Sequence, residues 1–248
     1  MSLFGRRHRP AEAQDEGEKP FWISFADLMT ASMTLFLVVM AITIVSLTKK
    51  FEQQTAAEKR RRESITECSK HLEVSANEKF PGKVRVEKIG NGDGIRLDLG
   101  SIVRFADARF DISPESGRFL REYIPDVLKV IEKKECAAYF RRVMIEGYTS
   151  STGSYLTNLR LSLDRSHEVL CALSTPESGE TPIDPKVQDK IKRHFLVGGF
   201  SFNSLRGSAE ESRRVELKIE FWQPAEADKR EEESKIDLGR KEFGACRR

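Results

Sequence analysis

Asp27 is the residue whose type and surroundings most invite chemistry, because it is a lone acid at the head of a long apolar run. From Phe21 to Leu47 the sequence reads FWISFADLMTASMTLFLVVMAITIVSL, and between Leu28 and Leu47 there is no charge. A carboxylate in such surroundings keeps its place with a partner, a water path or a proton. Two readings are open. In the local one, Ser24-x-x-Asp27 is a capping box and the carboxylate rests on the positive end of a helix dipole. In the other, Asp27 is a membrane-embedded acid that takes up and releases protons. No nucleophile, metal cluster or phosphate loop stands out elsewhere. The four cysteines, Cys68, Cys136, Cys171 and Cys246, lack zinc or redox spacing, and only four histidines are present. The expectation is a protein that is not an enzyme and holds no cofactor or metal.

The apolar run is about the length a helix needs to cross ~30 Å of hydrocarbon. A cleaved signal peptide would have a shorter core, an earlier start and a small-residue cleavage site, none of which fits. The run therefore reads as an uncleaved transmembrane helix over residues 21–48, behind a polar leader over 1–20. Arg6, Arg7, Arg9 and Lys19 in the leader favour a cytoplasmic N-terminus, although Lys49, Lys50 and Arg60 to Arg62 load the other flank. Thr30, Ser32 and Thr34 suit a helix packed in protein rather than lipid.

Residues 49–94 read as a charged connector, with Ile65, Cys68, Leu72 and Val74 at roughly helical spacing up to Lys79. Pairing with a second copy and a solvated spacer are both open for it. Residues 95–223 alternate strands and helices, and 224–248 read as a loosely ordered charged tail. GIRLDLG is an alternating strand, and Ser113-Pro114-Glu115 starts a helix that reaches about Lys134. RVMIE is a short strand, Ser154 to Leu173 a second helix, and His194 to Asn203 and Arg213 to Trp222 further strands. This β-α-β-α-β-β order predicts an α/β fold, a two-layer α+β sandwich with its helices on one face, preceded by the single transmembrane helix. The net charge of +3, from 42 basic against 39 acidic residues, argues against a nucleic-acid binder.

PFWISFADLMTASMTLFLVVM resembles the transmembrane motif of MotB-family stator subunits, the B components of ion-driven rotary motors. In that family a single Asp at the matching position carries the ion, which assigns Asp27 that role here, with H+ favoured over Na+. The stretches FADARFDISPES, IEGYTSSTGSYLTNLRLSLDRSHEVL and SRRVELKIEF resemble the OmpA-like peptidoglycan-binding fold over about 130 residues. That resemblance implies a groove that holds the diaminopimelate residue of the peptidoglycan stem. Asn158, Leu161, Ser162 and Arg165 match its Asn-x-x-Leu-Ser-x-x-Arg motif, with Thr157 beside them. Arg165 is accordingly the expected carboxylate clamp, an exposed guanidinium offering a bidentate fork.

The first half of that motif departs from the family. Tyr148 stands where His is usual, and Ser150 where an Asp normally meets the diaminopimelate ammonium. Asp164 is the nearby acid that could serve instead. Arg213 and Arg214 match the closing Arg pair, the first usually facing the groove and the second structural. Taken together, the motifs look most like the B subunits of the Zorya anti-phage defence system. That implies a homodimer threaded through a pentamer of a MotA-like, ZorA-type A subunit, in the inner membrane, with the C-terminal domain periplasmic and gripping peptidoglycan. A flagellar-type stator and a purely structural tether are the other readings.

A periplasmic domain sits in an oxidising compartment, where four thiols are more often paired than free. Cys136 follows the first domain helix and Cys171 lies near the end of the second, so helices lying parallel on one sheet face would bring those two together. Cys68 and Cys246 would then pair. The alternative leaves Cys136 and Cys171 as apolar fillers, with Cys68 meeting its own copy.

Overall fold

The computed structural model describes residues 19–90, 92–100, 102–174, 183–234, 244 and 246. Residues 1–18 of the expected leader and most of the tail beyond Ser234 lie outside them, whereas Lys19 and Pro20 already belong to a helix. In chain order the elements are α1 (Lys19–Lys79), β1 (Arg85–Ile89), β2 (Gly94–Asp98), α2 (Pro114–Ile131), α3 (Lys134–Ala137) and β3 (Phe140–Gly147). They continue with α4 (Tyr155–Ser174), α5 (Pro185–His194), β4 (Phe195–Gly199), α6 (Ala209–Ser212), β5 (Val215–Phe221) and α7 (Ala227–Ser234). Contacts divide the chain into two units, Met1–Thr55 and Ala56–Arg248.

In the first unit every side chain from Trp22 to Thr55 is exposed, including apolar residues such as Leu28, Phe36 and Ile42. Over its most apolar window α1 has a mean hydropathy of 2.3, high enough and long enough to cross a membrane. Several hydroxyls within this stretch bond back to the helix itself. Thr30 donates to the carbonyl oxygens of Ala26 and Asp27, Ser32 to Met29 O, Thr34 to Ala31 O and Thr43 to Met40 O. Such back-bonding lets polar residues sit in hydrocarbon without a partner helix.

The second unit is a five-stranded sheet in the order β1-β2-β5-β3-β4, antiparallel throughout except for the parallel pair β3/β4. Alternation assigns its two faces. Ile95 and Leu97 of β2, Val143 and Ile145 of β3, and Leu217 and Ile219 of β5 enter the core, where Leu120, Ile124 and Val127 of α2 and Val169 and Leu173 of α4 are also buried. The other face is charged. Glu216 pairs with Arg96, Arg206 and Arg214, and Glu220 with Arg142 and Lys218. At the start of α2, Ser113 accepts from Ser116 N with Pro114 at the first helical positions, as its sequence predicts.

Four expectations need correction. The stretch read as connector does not hang free as a solvated spacer. From Ala56 onward α1 belongs to the domain, and Ile65, Cys68, Leu72 and Ala76 are buried in its core at helical spacing. Arg61 is also fully buried, its Nε donating to Trp222 O at 2.8 Å, and Ser64 bonds to Glu135 O. The sheet likewise begins before residue 95, because β1 lies in the stretch read as connector and pairs with β2 across a tight turn. In the tail, Pro224 to Ser234 is helical rather than loose, with Arg230 donating to the carbonyls of Ala138 and Ala137.

The fourth correction is the disulfide pairing. The bridges are Cys68–Cys136 and Cys171–Cys246, with Cα separations of 5.0 and 5.7 Å. Docking of α1 decides the first, since it brings Cys68 against α3. Cys171 then meets the tail cysteine instead of Cys136. The bridges join positions 68 and 75 residues apart. Loops of that length give the larger entropic gains, of about 4 kcal/mol each in the chain-entropy account.

Candidate functional site

Asp27 lies in the first unit, about two turns in from the first helical residue, Lys19. Its helix has no acid in its first turn. The capping-box reading therefore fails, because a cap must sit where backbone N–H groups are unpaired, and Ser24 and Asp27 are both already inside the helix. What is left is an acid at the head of a helix segment that is uncharged from Leu28 to Leu47.

In the second unit the matched motif residues gather where the β3–α4 loop, the start of α4 and the turn after Phe105 meet. Two glycines bring α4 close. A Cβ on Gly147 would stand 1.9 Å from Ser162 O, and one on Gly199 would stand 2.7 Å from Leu163 N. Ser162 completes the seam, its Oγ accepting from Ser201 N at 2.9 Å.

Arg165 projects from α4 into the centre of this junction and is fully buried. Its Nε donates to Arg109 O at 2.9 Å, Nη1 to Tyr148 O at 2.9 Å and Nη2 to Ala106 O at 3.2 Å, with the Phe105 ring 5.0 Å away. Burial lowers its pKa to about 10, Arg213 adding to the fall and Asp107 opposing it, so it stays charged at neutral pH. The expectation of an exposed carboxylate clamp is therefore corrected. The fork is spent on three backbone carbonyls, and it ties the 106–109 turn to the end of β3.

The other expected residues divide in the same way. Asn158 is buried and donates to Thr152 O and Ser154 O, pinning the loop in which Gly153 takes a φ of +96°. Tyr148 is buried, its hydroxyl donating to Glu146 at 2.8 Å and its ring stacked on Phe200 beneath the Arg214 guanidinium. Burial pushes the Glu146 carboxyl above its usual range, with the Tyr148 hydrogen bond pulling the other way. Ser150 is buried too, and beside it the Thr149 hydroxyl is buried with no hydrogen-bond partner among the described residues. Leu161 is half-buried, while Thr157 is exposed and shares a 2.7 Å hydrogen bond with Ser154. Arg214 is structural, bonded to Glu216 and Ser204 O.

Arg213 is the matched cation that reaches solvent. Its side chain is 18% exposed, Nε donates to Phe105 O at 3.2 Å, and Nη1 lies 3.8 Å from Asp107. Asp164, the substitute acid considered from sequence, is taken on both carboxylate oxygens by Arg160 at 3.0 Å. Asp107, exposed beside the Arg213 and Arg165 guanidiniums, has no counterpart among the expected site residues. It lies inside the FADARFDISPES stretch, where only its neighbours in space set it apart. Among the described residues no group of three or more His, Cys, Asp or Glu is placed to hold a metal ion.

Residues 5–57 match the family described as membrane MotB of the proton-channel complex MotA/MotB. With one apolar helix bearing a lone acid and an α/β domain following it in sequence, the chain is a MotB-like membrane protein. It is 38% identical to Zorya protein ZorB of Escherichia coli O139:H28 over 238 residues, covering 96% of this chain and 93% of the relative. The chain belongs to the ZorB family. Among solved structures it is similar to a MotB-like protein from Desulfovibrio vulgaris, at 18% identity and a TM-score of 0.42, over 68% of this chain and 99% of the other. It is also similar to the periplasmic domain of Helicobacter pylori MotB, at 15% identity and a TM-score of 0.39, over 65% of this chain and 94% of the other.

Proposed function

We propose that this chain is the B subunit of a proton-driven inner-membrane stator serving anti-phage defence, and a motor part rather than an enzyme. The observation that carries the reading is Asp27, a titratable acid inside a helix that is otherwise uncharged from Leu28 to Leu47. A titrating group that alternates between charged and neutral forms can draw on the membrane potential, about 2.3 kcal/mol per charge per 100 mV. The partners of this reading are a second copy of the chain and a surrounding pentamer of a MotA-like, ZorA-type A subunit. The N-terminus lies in the cytoplasm and the α/β domain in the periplasm. The two disulfides support that side for the domain, because an oxidising compartment maintains such bridges.

The domain then grips peptidoglycan at the junction around Arg165, with Arg213 presenting the reachable positive charge. Asn158, Thr157, Leu161, Tyr148 and Ser150 shape the groove, most of them from behind. Asp27→Asn tests the central step. The amide keeps the size of the side chain but cannot cycle a proton, so insertion and assembly persist while phage protection is lost. An Asp27→Asn variant that still protects cells would reduce the chain to a structural tether.

A further inference from the structure

The peptidoglycan reading leaves one gap, because position 150 holds a buried serine where the family has an acid for the ammonium of diaminopimelate. We propose that Asp107 supplies that negative charge, so that Asp107 and Arg213 together form a receptor for a zwitterionic amino-acid end. This inference rests on the peptidoglycan reading and names the residue that completes it.

Geometry ties Asp107 to the strand end that lacks the acid. Residues 106–109 form a turn closed by Arg109 N donating to Ala106 O at 3.2 Å, with Ala108 held at a left-handed φ of 52°. Both ends of the turn, Ala106 O and Arg109 O, are bound by the Arg165 guanidinium. The third bond of that guanidinium goes to Tyr148 O, two residues before Ser150. One buried side chain thus fixes the strand end that lacks the acid and the turn that carries one.

Availability singles out Asp107 among the nearby acids. Its side chain is 71% exposed, and its ion pair with Arg213 is long, at 3.8 Å. A carboxylate has about four lone-pair sites, so such a pairing leaves room for an ammonium. The others are committed. Asp164 is held by Arg160, Asp111 by Arg109 at 2.6 Å, Glu146 is buried against Tyr148, and Glu216 is buried among guanidiniums. Charge alternates across the patch, with Arg213 for a carboxylate and Asp107 for an amine, and a free amino-acid end presents that same pair.

The test uses the full-length protein in detergent, titrated calorimetrically with two probes. One is a disaccharide-tripeptide ending in meso-diaminopimelate, and the other is the same compound with its side-chain amine acetylated. Asp107→Asn is expected to weaken the first probe about tenfold. The acetylated probe should bind the wild type about as weakly, and the substitution should change its affinity by less than about twofold. Equal loss for both probes would overturn the assignment, since the carboxylate would not be reading the amine. Unchanged or tighter binding of the first probe would overturn it as well, showing that Asp107 only neutralises Arg213. Those outcomes leave the peptidoglycan reading standing. A wild type that binds neither probe, with a folded circular-dichroism spectrum, would sink that reading and this inference together.

Discussion

A fully buried arginine and one that still reaches solvent can match a motif equally well and do different work. Arg165 gives its whole fork to Arg109 O, Tyr148 O and Ala106 O, so its removal strips three carbonyls of their donor and opens a void between α4 and the 106–109 turn. Arg165→Ala is therefore expected to cost roughly 3–5 kcal/mol, read as a lower denaturant midpoint in urea. Arg165→Lys should recover little of it, since one ammonium cannot reach three diverging acceptors. Arg213→Ala should leave the midpoint within about 0.5 kcal/mol and lower retention on peptidoglycan sacculi. If both substitutions left stability untouched, Arg165 would not be holding the turn. Asp27 is the contrasting case, an exposed acid on an apolar helix segment whose proposed role is to exchange a proton.

At the scale of elements, the second half of α1 is the part whose role changes most. Its buried row Ile65, Cys68, Leu72 and Ala76 joins the core through helical periodicity, and the Cys68–Cys136 bridge locks it to α3. Cys68→Ser with Cys136→Ser should lower stability by about 2–4 kcal/mol while leaving the fold intact, because the apolar contacts of this helix are untouched. Thermal melts under oxidising and reducing conditions check this. The double variant should be less sensitive to reductant than the wild type, retaining only the response of Cys171–Cys246. A double variant that melted with the wild type in oxidising buffer would show that packing alone seats the helix.

For the whole molecule, proton linkage gives a stability profile with a definite sign. Burial pulls the His194 imidazole below its ordinary value, Arg193 and Lys190 adding to the effect and Glu132 opposing it. The unfolded chain then takes up this proton at higher pH than the folded chain. The stabilisation is complete above about 6.5 and is lost as pH falls through that value. Glu146 acts in the opposite sense nearer the carboxylate range, since its raised pKa lets the folded state take up a proton first. The melting temperature should therefore fall between about pH 7.5 and pH 5.5, and His194→Gln should flatten that slope. An unchanged slope in the variant would assign the dependence to other groups.

What the sequence by itself determined are the features written in adjacent residues. The uncharged run from Leu28 to Leu47, the Ser113-Pro114 helix start and the alternation of RVELKIEF each carry their own periodicity or cap, and each appears in the structure where it was expected. The residues of the motif around Asn158 and Arg165 also lie together, at the junction of the β3–α4 loop and the start of α4. Only the tertiary structure decided which surfaces meet there. Arg165 looks like a surface residue on α4 until the 106–109 turn folds over it, and Cys68 looks like part of a spacer until its helix face finds the core. The cysteine pairing followed from that docking, because spacing along the chain says nothing about which thiols become neighbours. Asp107 was equally hidden. Its meaning comes from an Arg213 over a hundred positions away and from a guanidinium that holds both ends of its turn, and Coulombic pairing of that kind depends on distance through space.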